Sequence, residues 1–158
     1  MLYLIAWSRG DIILVEKAKV FEFYRDVEHL NEKVFWVRGY ADAIVGLFED
    51  NDQSFEVYRV VIGRDLNTWT KLDADHHMVT NTTNEVLLLD SNTDKFKPFW
   101  IQWTTNSIIF GAGVEVGAGI NLQWQLSRNA TIRYISVRSR KYYPVEYILD
   151  LSCSKIPM

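Results

Sequence analysis

Residues 108–126 read Ile108-Ile-Phe-Gly-Ala-Gly-Val-Glu-Val-Gly-Ala-Gly-Ile-Asn-Leu-Gln-Trp-Gln-Leu126, and two folds compete for them. Within this stretch, Gly111–Asn121 carries the letters of a nucleotide-type cofactor loop. An acidic residue and a G-x-G follow an apolar run, as in many sites for S-adenosylmethionine. Such a loop needs a parallel strand before it and a helix after it, because the helix start brings backbone amides to the cofactor. After Gly119 the chain instead alternates apolar and polar residues with the period of a strand. The carboxylate expected about 20 residues further on would fall within Val137-Arg-Ser-Arg-Lys141, which is basic. The stretch therefore reads as a glycine-rich connection between two antiparallel strands, Ile108–Phe110 and Ile120–Leu126. Glu115 is then an exposed loop carboxylate, and no cofactor is implied.

The same alternation spreads outward along the chain. Val20–Tyr24, Val34–Val37, Ala43–Phe48, Phe55–Ile62, Glu85–Leu89, Phe99–Trp103, Ile132–Val137 and Val145–Leu149 are short, β-branched and aromatic, as strands are. Turn-rich breaks separate them at Glu49–Gln53, Gly63–Asp65, Asp90–Asp94 and Ser127–Asn129. About ten short strands at this spacing predict an all-β fold, an antiparallel β-sandwich of jelly-roll-like form. The chain, residues 1–158, reads as one domain with at most one or two short helices. The segments with helical character are Ile12–Lys19 and Val27–Lys33, where charges are dense.

Charge and special residues narrow the function classes. A formal charge of −3 and a pI near 5.6 leave no electrostatic footprint for nucleic acid. The single cysteine, Cys153, excludes an internal disulfide and a cysteine-based zinc site. The apolar run Leu2–Trp7 is too short for a signal peptide or a membrane span. That fits either a cytoplasmic chain or a mature form without its leader. Two sequons, Asn81-Thr-Thr83 and Asn129-Ala-Thr131, point to glycosylation and an extracellular setting. His76 and His77 are adjacent and would face opposite sides of a strand, and His29 stands apart, so no metal site is assigned. Glu49-Asp-Asn-Asp52 lacks the spacing of a calcium loop and reads as a polar hairpin tip.

Aromatic residues make up 14% of the chain, with 6 tryptophans, and alternation sorts these into roles. Phe99, Ile101 and Trp103 share one face of their strand, with Trp100 and Gln102 on the other. Leu122, Trp124 and Leu126 share a face, so Trp103 and Trp124 read as core. Trp69 alternates with Asn67 and Lys71, opposite Thr68, Thr70 and Leu72, which places it on a polar, open face. A tryptophan beside amide and basic groups suits stacking on a sugar, or another flat apolar surface, while its neighbours hydrogen-bond the rim. Trp69, Asn67, Arg64 and Lys71 are the first candidate ligand-binding residues, and Trp100 with Gln102 are the second.

An ordered series of blocks also resembles a known family. Val34-Phe-Trp-Val-Arg-Gly-Tyr-Ala-Asp-Ala-Ile-Val-Gly-Leu47 is followed by Tyr58-Arg-Val-Val-Ile-Gly63 and Asn67-Thr-Trp-Thr70. Then come Phe99-Trp-Ile-Gln-Trp103, Asn106-Ser-Ile-Ile-Phe-Gly-Ala-Gly113 and Leu122-Gln-Trp124. Across about residues 21–137 these are similar to the farnesoic acid O-methyltransferase-like domain, an invertebrate β-sandwich module. Three positions depart from its pattern: Arg64 stands for its second glycine, Arg59 for the acidic residue after its tyrosine, and Asp73 for the arginine of its I-R pair. The family's name implies methylation of farnesoic acid to a juvenile-hormone-type ester. The domain also recurs as a module of extracellular and complement-like proteins, which implies recognition. Taken with the hairpin reading of Gly111–Asn121, the expectation is a non-catalytic, lectin-like module that binds carbohydrate or protein in an extracellular or defence setting. The alternatives are the methyltransferase of the family name and a carrier holding an apolar small ligand between its sheets.

Overall fold

The computed structural model describes residues 3–4, 12–15, 21, 23–51, 55–140, 142–149 and 156–157. The strands among them are β1 (Tyr3–Leu4), β2 (Ile12–Val15), β3 (Phe23–Asp26), β4 (Glu32–Gly39), β5 (Ala43–Phe48), β6 (Glu56–Gly63) and β7 (Trp69–Ala74). They continue as β8 (His77–Thr82), β9 (Lys97–Trp103), β10 (Ser107–Ala112), β11 (Asn121–Gln125), β12 (Tyr134–Arg138), β13 (Val145–Ile148) and β14 (Ile156–Pro157). Two six-stranded antiparallel sheets result, ordered β11-β10-β9-β4-β13-β2 and β3-β12-β5-β6-β7-β8, and β1 pairs with β14. Each sheet contains a simple meander, β9-β10-β11 in one and β5-β6-β7-β8 in the other, while β4, β12 and β13 are joined by crossings between layers. This is the jelly-roll-like sandwich that the alternation predicts.

The core lies between the sheets because each strand sends every second residue inward. Phe35, Phe99 and Phe110 stack there, with centroids 6.1 Å apart for the first pair and 5.6 Å for the second. All three are fully buried, as are Ile101, Ile108, Leu72, Ile62 and Ile135. Each such side chain contributes roughly 1.5–3 kcal/mol by leaving water. Trp103 belongs to this core, as expected.

The glycine-rich stretch is a hairpin. β10 and β11 pair antiparallel, from Ser107 opposite Gln125 to Gly111 opposite Asn121. Gly113, Gly117 and Gly119 carry φ of 100°, 87° and 81°, the left-handed region that glycine enters without strain. Gly111 answers a different demand. A Cβ there would lie 2.2 Å from Trp100 Cζ2, so the indole packs directly on the backbone. Glu115 is exposed in the loop, as the sequence indicates.

Four sequence-based expectations are corrected. Ile12–Val15 is a strand pairing with β13, not helix, and residues 16–19 lie outside the described residues. Val27–Lys33 forms a turn closed by Leu30 N donating to Val27 O (2.9 Å), after which Glu32 opens β4. Glu85–Leu89 is not a strand. Asn84 Oδ1 accepts from Val86 N, which turns Glu85–Leu87 into a 3-10 helix. Trp124 is 41% exposed rather than core; it lies on β11, the edge strand of its sheet among the described residues.

Candidate functional site

The outer face of the β3-β12-β5-β6-β7-β8 sheet carries a group of polar and aromatic side chains along β7 and the connection leading into it. Along β7, Thr70, Leu72 and Ala74 point inward, so Trp69, Lys71 and Asp73 point out. The ladder sets their neighbours: Lys71 lies between Val61 and Asn81, and Asp73 between Arg59 and Met78.

The connection from β6 to β7 gives this face its geometry. Gly63 has φ 72°, and Asp65, Leu66 and Asn67 follow at 48°, 61° and 62°. Three consecutive left-handed residues close one turn, with Thr68 N donating to Arg64 O at 2.9 Å. Left-handed backbone costs roughly 1–2 kcal/mol per ordinary residue, so the turn persists because its side chains secure it. Thr68 Oγ1 donates within reach of Asp65 O (2.7 Å) and Arg64 O (3.2 Å). Asn67 pairs with Leu89 in both directions: its Nδ2 donates to Leu89 O (3.0 Å), and Leu89 N donates to its Oδ1 (2.9 Å).

So held, the turn frames Trp69. The indole Nε1 donates to Asp65 Oδ2 at 2.7 Å, and the Arg64 guanidinium lies 5.2 Å from the ring centroid. That distance is within cation–π range. The ring remains partly exposed beside these fixed charges.

Next to it lies a buried ion cluster. Asp73 Oδ2 accepts from Arg59 Nε (2.9 Å), Arg59 Nη2 (2.7 Å) and Lys71 Nζ (2.9 Å), while Arg59 Nη1 stands 3.4 Å from Glu56. Asp73 is 2% exposed and Lys71 8%. Burial would raise the Asp73 carboxyl pKa, but the bonds from Lys71 and Arg59 outweigh it and hold the group below the usual carboxylate range.

The six predicted ligand-binding residues thus fall on two faces. Trp69, Arg64 and Lys71 come together on the outer face described above. Asn67 is beside them, but its amide is taken up by Leu89 and serves the turn. Trp100 and Gln102 lie on the outer face of the opposite sheet, away from that cluster. Trp100 is fully buried, with Nε1 donating to Ala112 O (3.2 Å), so its ring is closed to a ligand. Gln102, half-buried, sits between Glu32 and Ile109 in the ladder.

Asp65, which stands with Arg64 just before Trp69 in the sequence, is drawn into the site as its position suggests, whereas Arg59 and Asp73 are residues of this face that sequence reading does not select. Arg59 and Asp73 were visible only as departures from a family pattern. Both sequons are exposed: Asn81 on edge strand β8, and Asn129 in the loop after β11. A groove of about 590 Å³ on the other side of the turn is lined by Asn67, Leu89, Asp90, Phe96 and Lys97. Its one lysine is occupied, because Lys97 Nζ donates to Val86 O (2.8 Å) and Leu88 O (2.6 Å). The Trp69 face is the stronger candidate.

Comparison with known proteins gives the family. Among solved structures, the chain is similar to a toad ovary galectin in complex with thio-digalactose, at 12% identity and a TM-score of 0.48, covering 85% of this chain and 98% of that one. It is also similar to Xenopus laevis galectin-Ib, at 10% identity and a TM-score of 0.46 over 85% and 98%. A native glycosidic hydrolase matches at 8% identity and a TM-score of 0.48 over 91% and 78%. No curated protein matches the chain in sequence. The model of the family described as farnesoic acid O-methyl transferase matches residues 17–152, somewhat more than the 21–137 that the sequence blocks suggest. The chain belongs to that family.

Proposed function

We propose that this protein is a non-catalytic recognition module that binds carbohydrate on the outer face of the β3–β8 sheet, around Trp69. One observation carries the reading: a partly exposed indole whose edge is fixed by Asp65 and whose ring is flanked by Arg64. Sugar rings offer an apolar face for stacking and a hydroxyl rim for charged donors and acceptors. Arg64 is the donor beside the ring, and Asp65 is an acceptor. The two sequons favour an extracellular or defence setting.

The methyl transfer in the family's description finds no support in Gly111–Asn121, which links antiparallel strands where a cofactor loop would open a helix. A carrier role is opposed by the stacked Phe35, Phe99 and Phe110, which fill space between the sheets. A glycan array with the wild-type protein and Trp69→Ala tests the proposal. Binding by the wild type that disappears in the variant supports it; equal binding by both overturns the site. Calorimetry with S-adenosylmethionine should show no heat, and micromolar binding would overturn the non-catalytic reading.

A further inference from the structure

Asn81 sits on the proposed recognition face itself. In the ladder between β7 and β8 it is the direct partner of Lys71; Thr70 pairs with Thr82, which leaves Trp69 as its diagonal neighbour on that side, while a bulge on the other side shifts Asp73 onto Met78. Diagonal cross-strand neighbours are roughly 7–8 Å apart, within reach of long side groups. Among the described residues β8 is an edge strand, with no further strand beyond Asn81. It is exposed, and its amide makes a contact with Met78 Sδ at 3.9 Å, too weak to hold it. The sequence Asn81-Thr82-Thr83 satisfies the N-glycosylation acceptor rule.

We propose that Asn81 is an N-glycosylation site and that its glycan shields Trp69, so that occupancy of this sequon sets whether the face is open to an external ligand. The shielding of ligand rests on the recognition reading above; the modification and the covering of Trp69 do not. The donor is a lipid-diphosphate oligosaccharide. Asn81 Nδ2 bonds to the anomeric carbon, the bond from that carbon to the diphosphate oxygen breaks, and the amide proton is lost as the lipid diphosphate departs. The transfer occurs on the extended chain before β8 pairs. The finished strand then carries the sugar at its solvent edge, on the side of Lys71. A bulky polar group there also blocks edge-to-edge strand addition, a recognised hazard of exposed edges. The second sequon, Asn129, lies in the loop after β11 and serves as an internal control.

The test uses the full chain secreted from a glycosylating host, as wild type, Asn81→Gln and Asn129→Gln. Mass spectrometry of the peptide containing Asn81 reads occupancy. Acrylamide quenching, taken as the difference between each protein and its Trp69→Phe version, reads exposure of that ring. The expected result is an occupied Asn81, with Trp69 quenching several-fold lower in wild type and Asn129→Gln than in Asn81→Gln. An unmodified Asn81, or equal quenching with and without its glycan, overturns the proposal. A glycan array on the same proteins separates the two readings. Quenching that follows occupancy while Asn81→Gln binds nothing keeps the shield and sinks carbohydrate recognition. Binding that rises several-fold in Asn81→Gln supports both.

Discussion

Arg59 holds Asp73 across the β6–β7 ladder through two bonds to a single carboxylate oxygen, at 2.9 and 2.7 Å. These two residues occupy positions where the family's pattern carries the opposite charges, an acid at the first and an arginine at the second. What looks in sequence like two separate departures therefore falls on one cross-strand pair, joined here by Arg59 and Asp73.

This pairing predicts coupling. Asp73→Arg alone places three cations together with Arg59 and Lys71, and should destabilise the fold by about 3 kcal/mol or more. Restoring the family's polarity with Arg59→Glu in the same chain should recover part of that loss, at least about 1 kcal/mol. Urea unfolding of both single variants and the double variant measures the coupling; strict additivity would show that the pair is incidental.

Acid should weaken the protein through the same carboxylate. Asp73 titrates below its ordinary value despite burial, and Asp75 does so because Arg128 bonds to it. A depressed folded-state pKa gives stability that is fully present above the unfolded value, about 3.9, and is lost as pH falls through the folded value. Asp42 is shifted upward by burial and acts in the opposite sense, losing its contribution as pH rises through its folded value. The two lowered groups lose their contribution as the pH falls below about 4 and through their folded values, so the urea midpoint should drop over that range. Asp73→Asn should make that drop shallower.

Gly111 should tolerate no side chain. Its would-be Cβ meets Trp100 ring atoms at 2.2 and 2.4 Å, and both residues are buried. Gly111→Ala should cost roughly 1–3 kcal/mol or more as the ring is driven off the strand. Combining it with Trp100→Leu should cost less than the sum of the two single changes, because the collision is gone. Thermal unfolding of the three variants checks this.

The left-handed turn gives two variants of opposite sign. Leu66 has φ 61° and is 58% exposed, so Leu66→Gly removes backbone strain at little packing loss. It should leave stability unchanged or raise it by up to about 1 kcal/mol. Asn67→Gly keeps the φ but strips both bonds from Leu89, whose backbone groups are buried; it should cost about 1–3 kcal/mol. Calorimetric Tm values decide, and a destabilised Leu66→Gly would refute the strain argument.

Much of the fold was legible because period-2 alternation survives wherever a strand separates core from solvent. β4, β6, β9, β10, β11, β12 and β13 declare themselves this way, and β5 does so as an unbroken apolar run buried on both faces. β7 and β8 do not, since Trp69-Thr-Lys-Leu-Asp-Ala74 and His77-Met-Val-Thr-Asn-Thr82 place polar residues on both faces. Thr70 is buried inward, bonding to Leu87 O and accepting from Gly63 N. Those two strands carry the candidate site, so the part of the chain most relevant to binding was the hardest to recognise as strand. Trp69 was singled out because its neighbours are polar. Trp100 was misjudged for the same reason: alternation tells which face a residue takes, but not that a glycine on the next strand leaves room for its ring to lie flat.

The amide of Asn67 behaves as a peptide group borrowed from a side chain, giving Leu89 the donor and acceptor that a neighbouring strand would otherwise supply. Leu89 belongs to the segment that runs on into β9, in the opposite sheet. The frame around Trp69 is thereby anchored to the chain's passage between layers, and its shape is settled during folding rather than on encounter. A ligand meeting such a surface has little disorder to quench, so its heat of association should vary weakly with temperature beyond the area it covers, and its arrival should be fast.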